Sequence, residues 1–267
     1  MKYSRNQGFT LIELILVIVV LAIVALATTS YLGLGAQMYA DAAARDKLLS
    51  QSRFAVERIT RELRNVVPNS VRTWTDGSRQ CIEFAPLLQA GRYETNLVSP
   101  IRMFSAAGWS DLVSAPTVLM AVYPVNAATD IYQQQRVAST LTLTEDSTDN
   151  RILNVAFSFS GTVPSSPSQR MYFMTNPVVY CVVGSELRRY QRSGITSSTA
   201  AAALPGHVLM AEGIDTAFYS SSGASPFSFE NSVVLTRNAV VHIRLAFKSD
   251  FNDTLVFNQE IHIPNVP

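Results

Sequence analysis

Lysine is scarce in this chain. Only Lys2, Lys47 and Lys248 occur among 267 residues, and arginine supplies the rest of the positive charge. Nothing in the sequence explains that bias. Charge of either sign is sparse, at 15% of residues, and formal net charge is +1. So flat a balance gives no electrostatic grip on nucleic acid. Cysteine is limited to Cys81 and Cys181. Neither stands in a Cys-x-x-Cys or any other metal-ligand spacing, which argues against zinc. Gly-x-Ser-x-Gly, the Walker loop and His-Glu-x-x-His are all missing. The sequence therefore points to no enzyme and no cofactor.

What the chain does have is apolar residues, 48% of the total, and a place where they concentrate. Leu14 to Ala27 is an unbroken apolar run, and between Phe9 and Ala27 only Thr10 and Glu13 are polar. At ~1.5 Å per residue this nearly crosses a hydrocarbon core of ~30 Å, and Thr28 to Leu34 completes the crossing. Lys2 and Arg5 precede it with no acidic residue among the first eight, which puts the N-terminus in the cytoplasm and the rest outside. A secretory signal cut after Ala25-Leu26-Ala27, a plain anchor and a leader cut before the apolar segment all fit this much. Glu13 separates them. A carboxylate inside an apolar segment costs a few kcal/mol in lipid, and neither a signal nor an anchor has a use for it. A filament subunit does: cleavage between Gly8 and Phe9 creates an α-amino group, and Glu13 of a neighbouring subunit can neutralise it and fix the register.

Gly8-Phe9-Thr10-Leu11-Ile12-Glu13 resembles the prepilin peptidase site of type IV pilins and type II secretion pseudopilins. The resemblance implies cleavage after Gly8 on the cytoplasmic side, N-methylation of Phe9 and an assembly role for Glu13. The expected partners are prepilin peptidase, other minor and major pilins and an inner-membrane assembly platform. Expected localisation is a single pass in the inner membrane with the head in the periplasm, then the filament or its tip. In an exported head Cys81 and Cys181 are expected to pair, although two buried thiols fit the sequence as well.

Beyond the membrane segment, Asp41 to Val67 reads as an amphipathic helix with Leu48, Ala55, Ile59, Leu63 and Val66 on one face. Arg53–Glu57, Glu57–Arg61 and Arg58–Glu62 stand four apart and can pair. Pro68 disfavours helical geometry at Val67 and ends the helix. Thr28, Thr29, Ser30, Gly33 and Gly35 weaken its middle, where a bend or melted turn is as well supported as close packing of a neighbouring helix. After Pro68 the pattern alternates. Candidate strands are Thr117–Tyr123, Val137–Thr144, Arg151–Phe159, Arg170–Thr175, Pro177–Val183 and Glu186–Gln191. Glu145–Asn150 and Gly161–Ser168 are turn-rich, and Ser193–Ala203 is a loop or short helix. Val241, Ile243, Leu245 and Phe247 face the same way as Leu255, Phe257, Ile261 and Ile263 in a closing hairpin turned at Ser249–Asp253. Its apolar face is expected against the helix.

The expected fold is α+β: a long N-terminal hydrophobic and amphipathic helix followed by a mostly antiparallel β-sheet head. The divisions are 1–8 leader, 9–34 transmembrane half of the helix, 35–67 amphipathic half and 68–267 periplasmic head. No linker cuts the head, although its length allows two sheet lobes. Gln51 to Arg64 looks like the helix of the larger minor pilins, pseudopilin J included, and Gln259 to Pro267 is similar to a minor pilin of mannose-sensitive haemagglutinin pili. Residues 68–230 carry no usable motif. The resemblance implies a low-copy subunit that starts or caps a filament, or else a pseudopilin of a secretion machine. Two polar clusters could bind a metal by residue type. His242, Glu260 and His262 share the polar face of the closing hairpin, and Asp146-Ser147-Thr148-Asp149-Asn150 lacks a full set of Ca²⁺ ligand positions. Both read better as solvated surface.

Overall fold

A computed structural model describes residues 8–263 apart from 95, 107, 160–162, 201–203, 231–238 and 250–253. Residues 1–7 of the leader, most of the expected Ser249–Asp253 turn and the C-terminal residues 264–267 lie outside the described residues. The chain divides into two compact units, Met1–Leu49 and Ser50–Pro267. Helix α1 (Leu11–Arg64) supplies nearly all of the first and opens the second.

In the first unit residues 11–49 are helical throughout, so the expected melted turn at 28–35 does not occur. The hydroxyls there work with the helix: Thr28 Oγ1 donates to the Val24 carbonyl at 2.9 Å and Thr29 Oγ1 to the Ala25 carbonyl at 3.0 Å. In an apolar segment this hides the hydroxyls against the backbone.

In the second unit α1 buries Ser52, Ala55, Val56, Ile59 and Leu63, a stripe at helical spacing that includes three of the five expected positions. Of the three expected ion pairs, Arg58–Glu62 (3.0 Å) is the one formed among the described residues. Glu62 also holds Arg189 at 3.1 Å, which ties the helix to the sheet beside it. The helix stops at Arg64, three residues before the expected end. Val66 bridges to Pro86 and the Val67 N–H donates to the Ala85 carbonyl at 3.0 Å, so the chain is already extended before Pro68.

The strands are β1 (Arg72–Asp76), β2 (Arg79–Phe84), β3 (Leu87–Tyr93), β4 (Ile101–Phe104) and β5 (Leu119–Val122), with the short helix α2 (Ser110–Val113) before β5. A π-helical turn, Ala127–Tyr132, leads to β6 (Val137–Ala138), β7 (Thr140–Glu145), β8 (Ile152–Ser158) and β9 (Arg170–Met174). Then come β10 (Val178–Val183), β11 (Glu186–Gln191), β12 (His207–Glu212), α3 (Thr216–Ser222), β13 (Phe227–Glu230), β14 (Ala239–Lys248) and β15 (Thr254–Ile263). They form three antiparallel sheets, ordered β1-β2-β10-β11-β12, β6-β5-β9-β3-β4-β8-β7 and β13-β14-β15. The α+β expectation holds: one long helix, then antiparallel sheet.

The connectivity gives the head its second lobe. β2 and β10 are neighbours in the five-stranded sheet, and everything between them in sequence, β3 to β9, builds the seven-stranded sheet. That sheet is an insertion. It is also rolled: β6 and β7 lie at opposite ends of the strand order, yet only Ser139 separates them in the chain. The single expected strand Val137–Thr144 is therefore two, broken where the chain steps from one edge to the other. Inside the roll Met103, Trp109, Met120, Leu153, Val155, Met171 and Phe173 form one core. Trp109 meets Phe173 edge to face and donates from Nε1 to the Arg151 carbonyl at 2.8 Å. Gly91 makes room for it, since a Cβ there would stand 2.6 Å from Trp109 Cη2.

The disulfide closes the neck of the insertion. Cys81 and Cys181 face each other in register on β2 and β10, are buried and are joined, with sulfurs 2.05 Å apart. The closing hairpin pairs as expected, with Val241 opposite Ile261, Leu245 opposite Phe257 and Phe247 opposite Leu255. Gln259, on its inner face, lines a groove with Val56 and Thr60 of α1. Helix α3 is fixed to β14 by Tyr219, whose hydroxyl donates to the Arg244 carbonyl and accepts from the Ala246 N–H, each at 2.9 Å; burial pushes that phenol up to about 12.

Candidate functional site

The expected processing segment sits just before α1. Gly8, Phe9 and Thr10 are exposed and non-helical, and the helix begins at Leu11. Thr10 is its N-cap: the Glu13 N–H points at Thr10 Oγ1 (3.4 Å) and the Leu14 N–H donates to the Thr10 carbonyl at 3.2 Å. Thr10-x-x-Glu13 thus has the spacing of a capping box, and Glu13 lies in the first turn, where the helix dipole favours an acid. The sequence reading missed this local role for both residues, although the spacing alone announces it. Gly8 and Phe9, which flank the expected cleavage site, are exposed and precede the capped helix.

The apolar residues that follow have no cover. Phe9 is 81% exposed, Leu16 61% and Leu26 70%, and Tyr31, Leu32 and Met38 are equally bare. So much continuous apolar surface needs lipid or other helices around it. Among the described residues this is one helix long and apolar enough to cross a membrane, a test that N-terminal signal sequences also pass.

The polar face of the hairpin brings His242 and Glu260 together, as expected, and adds Glu230 of β13. His242 Nδ1 is 3.5 Å from Glu260 and Nε2 is 3.7 Å from Glu230. The two carboxylates address opposite sides of the ring, so one ion cannot reach all three. His262 shares the face but stands opposite Val240. Among the described residues no group of three or more His, Cys, Asp or Glu side chains is arranged to hold a metal. In the 146–150 loop Asp146 Oδ1 accepts from the Thr148 N–H at 2.9 Å and from its hydroxyl at 2.5 Å. Arg151 bonds Asp149 and holds its carboxyl down at about 2. The loop's acids are thus engaged locally.

A charged cluster that the sequence did not announce lies under the 193–200 loop. Glu83 is fully buried, and its carboxylate accepts from Arg192 Nε (2.6 Å), Arg72 Nη2 (2.8 Å) and Trp74 Nε1 (3.1 Å). The same arginines reach the carbonyls of Thr196, Ser197 and Ser198. Arg72 also lies 3.5 Å over the Tyr132 ring. The cluster binds β1, β2, the end of β11, the π-helical turn and the loop into one junction. Residues 193–200 accordingly form a pinned loop with no helix.

Residues 3–29 match the family model of the prokaryotic N-terminal methylation motif. No curated protein and no solved structure matches the chain. The motif indicates a type IV pilin-like protein, processed by prepilin peptidase and assembled with other pilins. The apolar helix fits membrane anchoring followed by entry into a pilus.

Proposed function

We propose that this chain is a minor pilin, a low-copy subunit that initiates or helps assemble a type IV pilus of the mannose-sensitive haemagglutinin kind, most like the biogenesis protein MshO. The observation that carries the pilin reading is the methylation motif at residues 3–29 leading into a helix whose apolar surface is bare. The minor role is supported by the head: an inserted, rolled sheet makes it too bulky to repeat at every position of a filament. Cleavage falls after Gly8, Phe9 is methylated, and the head is in the periplasm until assembly. The partners are the peptidase, other pilins and the inner-membrane platform. A J-like pseudopilin of type II secretion is the second reading, favoured by the Gln51–Arg64 helix.

Glu13→Gln tests the filament role. Gln preserves the capping box, so cleavage and membrane insertion persist. Loss of the charge removes the partner for a neighbour's α-amino group, and crosslinks between this subunit and its neighbours fall. Wild-type crosslinking in this variant would reduce Glu13 to a helix-capping residue. Mass spectrometry of sheared filaments separates the two systems. Trace amounts beside a bulk subunit support the pilus reading; confinement to the envelope, with loss of exoprotein export on deletion, supports the pseudopilin.

A further inference from the structure

The outer surface of the inserted sheet carries an arrangement that a solvated face has no reason to keep. Arg92 of β3 stands directly opposite Arg170 of β9. Both point outward, because the next position on β3, Gly91, faces Trp109 inside the roll. Like charges directly opposite each other in an antiparallel pair repel. Among the described residues no carboxylate pairs with either, and Arg170 is bonded to the Tyr172 side chain. Glu94, two positions along the chain from Arg92, lies 3.7 Å from Arg102 instead. Arg92 is exposed, and on its other side it faces Phe104, which is 40% exposed and has the Arg102 guanidinium 5.9 Å from one side of its ring. Beyond them the same face continues through Asn154 and Thr144, aligned with Arg102 across β4, β8 and β7.

We propose that this face binds an acidic polysaccharide, with a uronate carboxylate seated between Arg92 and Arg170 and an adjoining sugar ring lying on Phe104. A carboxylate accepts two parallel bonds from a guanidinium and cancels the repulsion between the pair. Asn154 and Thr144 offer the neutral donors and acceptors that sugar hydroxyls require. A nucleic acid fits less well. Strands of DNA or RNA are held by several stacking rings along a sustained positive groove, and this face has one ring. A protein partner would meet an apolar centre, and here Phe104, opposite Ile152, is flanked by the guanidiniums of Arg92 and Arg102. This inference does not depend on which filament system the chain serves.

Calorimetric titration of the full-length protein in detergent micelles tests it, with hexagalacturonate as the probe. The comparison ligands are its fully methyl-esterified form, a hexaglutamate and an oligothymidylate. Hexagalacturonate should bind and the ester should not. Arg92→Gln and Arg170→Gln should each weaken binding by about tenfold or more, and Arg92→Lys by less, because an ammonium keeps the charge but loses the fork. Phe104→Ala should cost a few-fold. The ester comparison uses wild-type protein, so it decides even if a variant misfolds. Absence of hexagalacturonate binding, equal binding of the ester, or unchanged affinity in both arginine variants overturns the proposal. Tighter binding of hexaglutamate or oligothymidylate overturns it too, and assigns the face to a protein or a nucleic acid.

Discussion

Replacing Glu83 by Gln removes one charge and almost no volume, and it does so where water cannot compensate. The carboxylate is fully buried between Arg192, itself 3% exposed, and Arg72. With Glu83 ionised the cluster holds one negative and two positive groups. With Gln the two guanidiniums face each other uncompensated, and the new amide N–H₂ has donors where it needs acceptors. Breaking a buried pair in this way costs about 3–5 kcal/mol. In a domain of this size each kcal/mol moves the midpoint by about 2–4 °C, so Tm should fall by roughly 6–20 °C. The assay is urea unfolding of the full-length protein in micelles at neutral pH, followed by fluorescence. Trp74 donates to Glu83 and reports the junction, while Trp109 reports the inserted lobe. A second variant sharpens the test. Arg72→Met, Glu83→Leu and Arg192→Leu together remove every charge, and exchanging a buried ion cluster for apolar residues is near neutral. That triple variant should be more stable than Glu83→Gln alone. A loss below ~1 kcal/mol for Glu83→Gln, or a triple variant weaker than the single one, would refute the claim that Glu83 is there to balance the arginines.

Two further perturbations probe the inserted lobe. Gly91→Ala drives a methyl to 2.6 Å from Trp109 Cη2 and 3.0 Å from the Phe104 carbonyl oxygen; the carbonyl belongs to a paired strand and cannot yield, so overpacking should cost about 1–3 kcal/mol and shift Trp109 emission. Unaltered stability would show that the roll adjusts. Cys81→Ser with Cys181→Ser opens a loop spanning 100 residues, for which the chain-entropy model gives up to ~4.7 kcal/mol, read by urea unfolding against the oxidised wild type. Equal midpoints would mean that strand pairing alone holds the neck.

The closing hairpin was legible in the sequence. It alternates Val241, Ile243, Leu245 and Phe247 with His242 and Arg244, so its two faces, and with them its register, could be read. The start of α1 was legible from an apolar run after a basic leader. Of the inserted lobe, β5, β8 and β9 were readable as Thr117–Tyr123, Arg151–Phe159 and Arg170–Thr175, but β3, β4 and the order of the strands were not, since pairing between strands distant in the chain leaves no local pattern. β6 is two residues long, and nothing about Ser139 announces that the chain crosses there from one edge of the sheet to the other. The hairpin of β1 and β2 had a signal that went unread: Asp76-Gly77-Ser78-Arg79, with Gly77 at φ +60°. In the candidate site Gly8, Phe9 and Glu13 were readable because they form one contiguous motif. The Glu83 cluster was not, because its members come from three distant strands or their ends, and a lone Glu or Arg in a sequence is ordinarily a solvated one.

The central claim is that the apolar helix becomes the mature N-terminus of a filament subunit. Intact mass and N-terminal sequencing of the protein from membranes test it most directly. The account predicts a chain that has lost residues 1–8 and begins at Phe9 carrying one methyl group on its amine. A mature chain beginning at Thr28, after Ala25-Leu26-Ala27, would contradict it.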